Sequence, residues 1–426
     1  MPYYMKMGRI PKTRHTQFRR PDGALYSEEV FGTIGFVGPT TTMYHIQPPT
    51  QVAGWKTLYG AKVEYVETET MRMRHLVTTR LKAKGDPVTG RVVIMGNADI
   101  EMSICVPAEP MAYHYKNGQG DECLFFHYGS GRCHSTMGTL EFGPKDYLIL
   151  PKGVTYKLIF DKLKDKDRPE GFTKDEMPFG KFICFETHNS SHFMPPKRYL
   201  SKWTSQFLEH APYCERDLVI PGEPLTWDEK GDFEVRIKAR DCIHSYIYHY
   251  HPLDVVGWDG CYYPYIFNIG SFAPITGKVH MPPPIHQTFE GEGFVICSFC
   301  PRMLDSHPDA IPVPYNHSNL DSDEVLYYVE GEYKARKGID VGSISLHPQG
   351  IPHGPHPGTI EKSLGARHTE ELAVMCDTFR PLFVTKAALE IDDQTYPASW
   401  EGEHFPGLKD GVTTNSRSAS RSASVW

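Results

Sequence analysis

The chain has 426 residues, more than one hydrophobic core usually holds, so two domains or one large double-barrel unit are expected. Lysine and arginine number 45, and aspartate and glutamate number 52, which gives a net charge of −7 without any basic block. This balance excludes a nucleic-acid partner held through its phosphates.

The cysteines and the apolar residues indicate the cellular compartment of the protein. Ten cysteines are scattered along the chain, and the first residues contain no apolar signal region. No apolar run approaches the roughly 18 residues that a membrane helix needs. We therefore expect a soluble, cytoplasmic protein with reduced thiols and no membrane partner.

Short apolar stretches separated by glycine and proline dominate the chain from Ala24 onward. Few stretches show a sustained helical period, and β-branched and aromatic residues are frequent in segments such as RVVIMGN and VLYYVEG. The 37 glycines, 35 prolines and 12% aromatic residues fit a protein built of barrels. The sequence therefore predicts an all-β fold.

An internal repeat divides the chain into two similar halves. Four positions of the first half align at one constant offset with four positions of the second half. Tyr115, Asn117, Glu122 and Gly129 correspond to His317, Asn319, Glu324 and Gly331. Further on, the segment from Pro151 to Tyr156 recurs as the segment from Pro348 to His353. The repeat predicts two barrels in tandem.

The second copy carries the main chemical signal. The segments VLYYVEG and SISLHPQG can pair as a hairpin that gathers His317, Glu324 and His353 at one end of a barrel. Two imidazoles and one carboxylate form the facial triad that suits non-haem Fe(II) and leaves positions open for substrate and O2. The spacings match both cupin motifs, except that Asn319 and Pro357 replace the usual histidine and asparagine.

The expected fold is therefore a bicupin, with two double-stranded β-helix barrels. In the first copy, both histidine positions are tyrosines, and neutral tyrosine is a poor Fe(II) ligand because the phenol pKa is near 10. We expect residues 1–235 to contain a metal-free barrel, residues 236–405 the catalytic barrel, and residues 406–426 a flexible Ser-rich tail.

A dense block of aromatic residues and prolines runs from Tyr248 to Glu290. It is expected to pack around the mouth of a pocket, and it contains His280 and His286. A single histidine in such a loop is most often a hydrogen-bonded packing residue, but the metal-binding pattern downstream favours a role in the site.

Several long motifs resemble the homogentisate 1,2-dioxygenase family over most of the chain, in what looks like its bacterial-type branch. They are LYSEEVFGT, HPLDVVGWDG, the segment from His317 to His353, PHGPH, and ELAVMCDTFRPLFVT. The resemblance implies that His317, Glu324 and His353 bind iron and that His280 is the catalytic acid/base. It also implies that Tyr333 and His347, together with the ligand His353, contact the substrate.

Three further residues are weaker site candidates. His286 is the reserve candidate for the acid/base, Asn319 for a hydrogen-bond donor to a ligand, and His356 for a substrate contact or a packing residue. The resemblance also implies a homo-oligomer based on trimers.

The implied reaction uses Fe(II) and O2 to convert homogentisate into maleylacetoacetate, a step of tyrosine and phenylalanine catabolism. Two alternatives stay open: a dioxygenase for another hydroquinone or gentisate-like substrate, and a cupin that is a metal-dependent isomerase or a binding protein. An isomerase is expected to keep a fourth protein ligand, and Asn319 stands at that position. A binding protein would tolerate loss of the three ligands.

Overall fold

The computed structural model describes residues 3–169, 171–189, 191–331 and 338–400, and these residues form an all-β cupin fold, as predicted. The strands of the first half are β1 Met5–Gly8, β2 Ser27–Gly32, β3 Thr40–His45, β4 Gly54–Gly60, β5 Arg74–Leu76, β6 Arg91–Gly96, β7 Ile100–Cys105, β8 His114–Asn117, β9 Glu122–Tyr128, β10 Gly131–Ser135, β11 Gly138–Phe142, β12 Asp146–Leu150, β13 Thr155–Phe160, β14 Lys181–Thr187 and β15 Leu218–Val219. Those of the second half are β16 Lys230–Ala239, β17 Cys242–Tyr250, β18 Val255–Gly260, β19 Tyr265–Asn268, β20 Gln287–Gly291, β21 Phe294–Phe299, β22 Arg302–Met303, β23 Asp323–Glu330, β24 Ile344–His347, β25 His368–Thr369, β26 Leu372–Thr378 and β27 Phe383–Val384.

Helices are short and few in the described ranges. The two α-helices are α1 Thr359–Ser363 and α2 Lys386–Glu390. Single 3-10 turns occupy Ile34–Phe36, Thr78–Arg80, Asp165–Asp167, Lys174–Glu176, Lys197–Tyr199, Glu215–Asp217, Ile269–Ser271, Pro283–His286 and Tyr396–Trp400. Within the described part of the chain, no helix has the length and apolar character needed to cross a membrane.

Two large sheets form the first barrel. One has the order β11-β10-β13-β8-β16-β17-β4, and the other the order β15-β19-β12-β9-β14-β7-β6-β27. Their inward-facing residues include Tyr115, Leu124, Phe126 and Tyr156, all at most 2% exposed. Aromatic side chains thus pack the interior of this barrel.

The second barrel is built on a sheet with the order β20-β21-β26-β23-β24-β5. The strands β23 and β24 pair antiparallel with Glu324 opposite His347, which confirms the predicted hairpin. A smaller sheet, β22-β25, continues beyond the ends of β21 and β26. The six-stranded sheet contains β23 and β24, the strands of the two sequence motifs of the second copy.

Strand β23 is covered on both faces, which explains its nearly continuous apolar sequence. On one face, the ring of Tyr327 lies 6.4 Å from the ring of Phe125 in the first barrel. The alternate residues Glu324, Leu326 and Tyr328 line a cavity on the other face. Packing between the barrels therefore fixes the strand that carries the glutamate.

The barrels exchange strands, and the predicted division at residue 235 falls inside β16. From the first half, β5 pairs with β24, while from the second half, β19 pairs with β12 and β27 pairs with β6. The tail predicted at residues 406–426 lies outside the described residues.

The expectation that the whole block from Tyr248 to Glu290 surrounds the pocket mouth is wrong for its first part. Residues Val255–Gly260 form β18, which pairs with β1 and β3 in a separate four-stranded sheet. Asp254 there hydrogen-bonds buried His45 at 2.7 Å. Only the later part of the block, which contains His280 and His286, lines the cavity of the second barrel.

Candidate active site

His317, Glu324 and His353 converge at one end of the second barrel. His317 and His353 form an isolated antiparallel bridge, in which each backbone N–H donates to the other residue's carbonyl at 2.8 Å. Glu324 Oε2 lies 3.6 Å from His317 Nε2 and 3.7 Å from His353 Nε2. One ligand atom of each residue lies within 4.8 Å of the other two, a geometry able to hold a metal ion.

The donor set fits a metal ion chemically. Glu324 and His353 are buried, at 5% and 3% exposure, whereas the side chain of His317 is 24% exposed. His353 Nε2 is buried and makes no hydrogen bond with the described residues. A buried imidazole nitrogen without a donor or acceptor is costly unless it binds a ligand such as a metal ion.

The histidines also determine the charge of Glu324. Burial alone acts to raise the pKa of Glu324, but the facing histidines 317, 347 and 353 together hold it well below its usual range. The glutamate is therefore a carboxylate, the form that binds metal ions.

His347 lies behind Glu324 and does not line the cavity. Its Nδ1 is joined to Glu324 Oε1 by a hydrogen bond of 2.8 Å, and its ring stacks on that of His353 with the centroids 4.8 Å apart. The side chain is fully buried. His347 therefore contacts a candidate metal ligand, as residues that orient metal ligands do, and its contact with the substrate stays a prediction.

A cavity of about 290 Å³ is lined by His317 and Glu324, two of the three candidate ligands. Its walls are largely apolar and include Met281, Phe299, Leu326, Ala373 and Met375. An apolar cavity with a few polar groups at its ends suits a small aromatic molecule.

His280 and His286, the two acid/base candidates, both line this cavity. The ring of His280 is perpendicular to that of Tyr315, with centroids 4.8 Å apart. Burial lowers the pKa of His280, and the charges of Arg302 and His317 add to this effect. Burial lowers the pKa of His286 to about 3, so this second imidazole is neutral at physiological pH.

The remaining predicted residues have different positions. Asn319 lines the cavity, and its backbone carbonyl accepts a hydrogen bond from the Gly350 N–H at 2.7 Å. His356 stacks on Trp400 at 3.9 Å and hydrogen-bonds Ser399 at 2.6 Å, and it is not among the residues that line the cavity. Tyr333 lies outside the described residues.

Two charged cavity residues, Arg302 and Glu371, were not among the predicted site residues, although Glu371 begins the motif ELAVMCDTFRPLFVT. Arg302 follows the apolar strand β21, and Glu371 immediately precedes β26. Their side chains pair at 2.9 Å on the cavity wall. The alternation of Glu371 with Ala373 and Met375 places all three on one face, but only the pairing of β26 with β23 shows that this face is the cavity.

In the first barrel, a guanidinium group contacts the residues that the repeat aligns with the metal ligands. Arg91 pairs with Glu122 and donates a hydrogen bond to the Tyr156 hydroxyl at 3.1 Å. Asn117 also donates to Glu122, at 3.2 Å. The carboxylate of this copy is therefore neutralised by an arginine of the chain itself.

A cupin barrel in which two histidines and a glutamate form a possible metal site beside a largely apolar cavity belongs to the class of metal-dependent cupin enzymes. Comparison of the sequence with known proteins indicates which family of these enzymes the chain resembles. Residues 282–405 match the family described as "Homogentisate 1,2-dioxygenase C-terminal". A protein of Saccharolobus solfataricus named "Putative dioxygenase" is 36% identical over 406 residues, which cover 94% of this chain and 99% of that protein.

More distant relatives have a specific activity in their names. Homogentisate 1,2-dioxygenase of Rhizobium rhizogenes is 26% identical over 324 residues, which cover 69% of this chain but only 64% of that enzyme. The enzyme of the same name from Sinorhizobium medicae is 22% identical over 455 residues, covering 94% of this chain and 92% of that enzyme. This chain belongs to the homogentisate dioxygenase-like family, which confirms the predicted resemblance, and it is an enzyme of the dioxygenase kind.

Among solved structures, a cupin 2 conserved barrel domain protein from Leptotrichia buccalis is 11% identical with a TM-score of 0.31. The match covers 74% of this chain and all of that one.

Proposed function

We propose that the protein is an Fe(II)-dependent dioxygenase that opens the ring of homogentisate to give maleylacetoacetate. The observation that carries the proposal is the convergence of His317, Glu324 and His353 on one possible metal site. Two of these residues, His317 and Glu324, line an apolar cavity that also contains His280. Relatives named homogentisate 1,2-dioxygenase support the choice of substrate.

The donor set supports iron as the metal. Two imidazoles and one carboxylate on one side of an ion form the arrangement typical of non-haem Fe(II) oxygenases. When bound, Fe(II) would supply the redox chemistry that lets O2 react with the aromatic ring. His347 holds the glutamate through its 2.8 Å hydrogen bond, so the carboxylate faces the same ion as the two imidazoles.

The cavity walls position the ring and exclude water. Phe299, Leu326 and Met375 offer flat or flexible apolar surface, which stabilises a bound aromatic ring by burying it. The same walls leave little room for water beside the reacting carbon atoms.

His280 is the group that accepts the phenolic proton. The imidazole is half-buried in the cavity wall, and its lowered pKa keeps it neutral at physiological pH. It thus accepts the proton from the hydroxyl next to the acetate arm. The ring then opens between the carbons that bear this hydroxyl and the acetate, and both atoms of O2 enter the product.

The test measures O2 uptake by protein loaded with Fe(II) under anaerobic conditions, with homogentisate, gentisate and hydroquinone as substrates. We expect the fastest uptake with homogentisate and its loss in Glu324→Gln. The matched control is Glu330→Gln in the same strand, because Glu330 is 55% exposed and pairs with Lys145 on the surface. Uptake with gentisate alone would contradict the assigned substrate, and no substrate-dependent uptake would contradict the assigned reaction.

A further inference from the structure

The charges that line the catalytic cavity are few and localised. Within the described lining, Arg302 is the only lysine or arginine, and the carboxylates are the ligand Glu324 and Glu371. Among the described lining residues, Arg302 is therefore the permanent cation that a negatively charged substrate can contact.

Arg302 is held in place but is not fully used. Its Nη1 donates to the Cys300 carbonyl at 3.1 Å, and its Nη2 lies 2.9 Å from Glu371 Oε1. The guanidinium lies 5.7 Å from the centre of the Phe299 ring. A guanidinium has five N–H donors, so donors remain available for a ligand after these two contacts.

The position of Arg302 complements that of the metal ligands. In the backbone register of β23 and β26, Glu324 lies opposite Asp377, near one end of β26. The side chain of Arg302 contacts Glu371 beyond the other end of β26. Leu326, Met375 and Phe299 form the apolar wall between these two ends. His280 lines the same cavity, and its ring lies 4.8 Å from that of Tyr315, which in turn lies 6.0 Å from the ring of His317.

We propose that Arg302 binds the carboxylate of the substrate and that Glu371 weakens this binding, so that the pair determines the preference for hydroquinones with an acidic arm. The inference rests on the proposed function for the identity of the ring and adds the residues that select its substituent. A guanidinium and a carboxylate form paired, charge-assisted hydrogen bonds, which makes arginine suited to this role. Glu371 competes because its own carboxylate already occupies part of the same guanidinium.

The first experiment compares homogentisate with methylhydroquinone, which has the same ring but no carboxylate. In Arg302→Gln we expect KM for homogentisate to rise about 10-fold or more, as for the loss of a charge-assisted hydrogen bond. KM for methylhydroquinone and kcat for both substrates should change less than about twofold. Arg302→Lys should restore part of the homogentisate affinity, because it keeps the charge but not the paired geometry.

Glu371→Gln tests the second half of the proposal. Removal of the competing carboxylate should lower KM for homogentisate several-fold and leave KM for methylhydroquinone unchanged. Exposed residues nearby provide matched controls, Arg367→Gln and Glu370→Gln, neither of which lines the cavity. A rise of KM for homogentisate in Glu371→Gln would overturn the assigned competition.

A binding measurement separates this inference from the proposed function. Phenylacetate has the acetate arm but no ring hydroxyls, so it is not a substrate for oxidation. Calorimetry with iron-free protein should show that phenylacetate binds to the wild type and not to Arg302→Gln. Equal binding by both proteins, or an equal rise of KM for both hydroquinones, would refute the role of Arg302. Absence of O2 uptake in the wild type would instead refute the proposed reaction, while the calorimetry still decides on Arg302.

Discussion

Replacement of His347 by leucine tests whether the ligand geometry depends on a residue outside the cavity. His347 is fully buried, and the hydrogen bond of 2.8 Å to Glu324 is its contact with the metal-binding group. A hydrogen bond to a charged group contributes about 1.5–3 kcal/mol, and loss of such a partner of a metal ligand typically weakens metal binding about 10- to 100-fold. We expect His347→Leu to weaken Fe(II) binding by this factor.

The assay is an anaerobic titration with Fe(II), combined with thermal unfolding of the metal-free protein. The matched control is His356→Leu, because His356 is also buried, at 1% exposure, and hydrogen-bonds Ser399. Both variants should lose roughly 1–3 kcal/mol of stability through the buried hydrogen bond, but only His347→Leu should lose iron affinity. Equal iron affinities in the two variants would refute the orienting role of His347.

Three further predictions concern titration and the first barrel. The acid limb of kcat/KM should lie below pH 6.5, because the lowered pKa keeps His280 neutral there, and His280→Asn should remove this limb from the pH profile. Burial acts to lower the pKa of His45, but its carboxylate partners, including Asp254, raise this pKa to about 9. The charged His45 therefore stabilises the folded protein by roughly 3 kcal/mol below pH 6.5, and this stabilisation is lost as the pH rises through 9. Melting temperatures of the wild type should therefore fall over this range more steeply than those of His45→Gln, and parallel curves would contradict the assignment. Arg91→Leu should cost about 3–5 kcal/mol in denaturant unfolding because it leaves the Glu122 carboxylate buried without its cation, and the double variant with Glu122→Leu should recover part of this loss. A double variant less stable than Arg91→Leu would contradict that explanation.

The sequence predicted those parts of the site that depend on local spacing. His317, Glu324 and His353 belong to two short motifs joined by one hairpin, so strand alternation and one pairing suffice to bring them together. The repeat likewise predicted that the first barrel keeps the glutamate but not the histidines.

The residues that the sequence did not predict depend on pairings between distant strands. Glu371 reaches the cavity because β26 pairs with β23, and Arg302 because it follows β21 on the other side of β26. The same limit applies to Arg91, whose contact with Glu122 joins two strands that the repeat does not relate. No periodicity within a segment contains this information.

His347 shows a different limit. Its place in the strand SISLH predicts which face it occupies only after the register with β23 is known, and this register sets it opposite Glu324. The resemblance implies a substrate contact, which stays a prediction, while the register explains the hydrogen bond to the Glu324 carboxylate.

The iron content of wild type and His353→Ala, measured after anaerobic loading with Fe(II) and removal of unbound metal, tests the metal centre most directly. We expect one iron per chain in the wild type and almost none in the variant, with unfolding curves that show both proteins folded. Equal iron in the two proteins would contradict it, because His353 would then not be a ligand and the three-residue site would not be the metal centre.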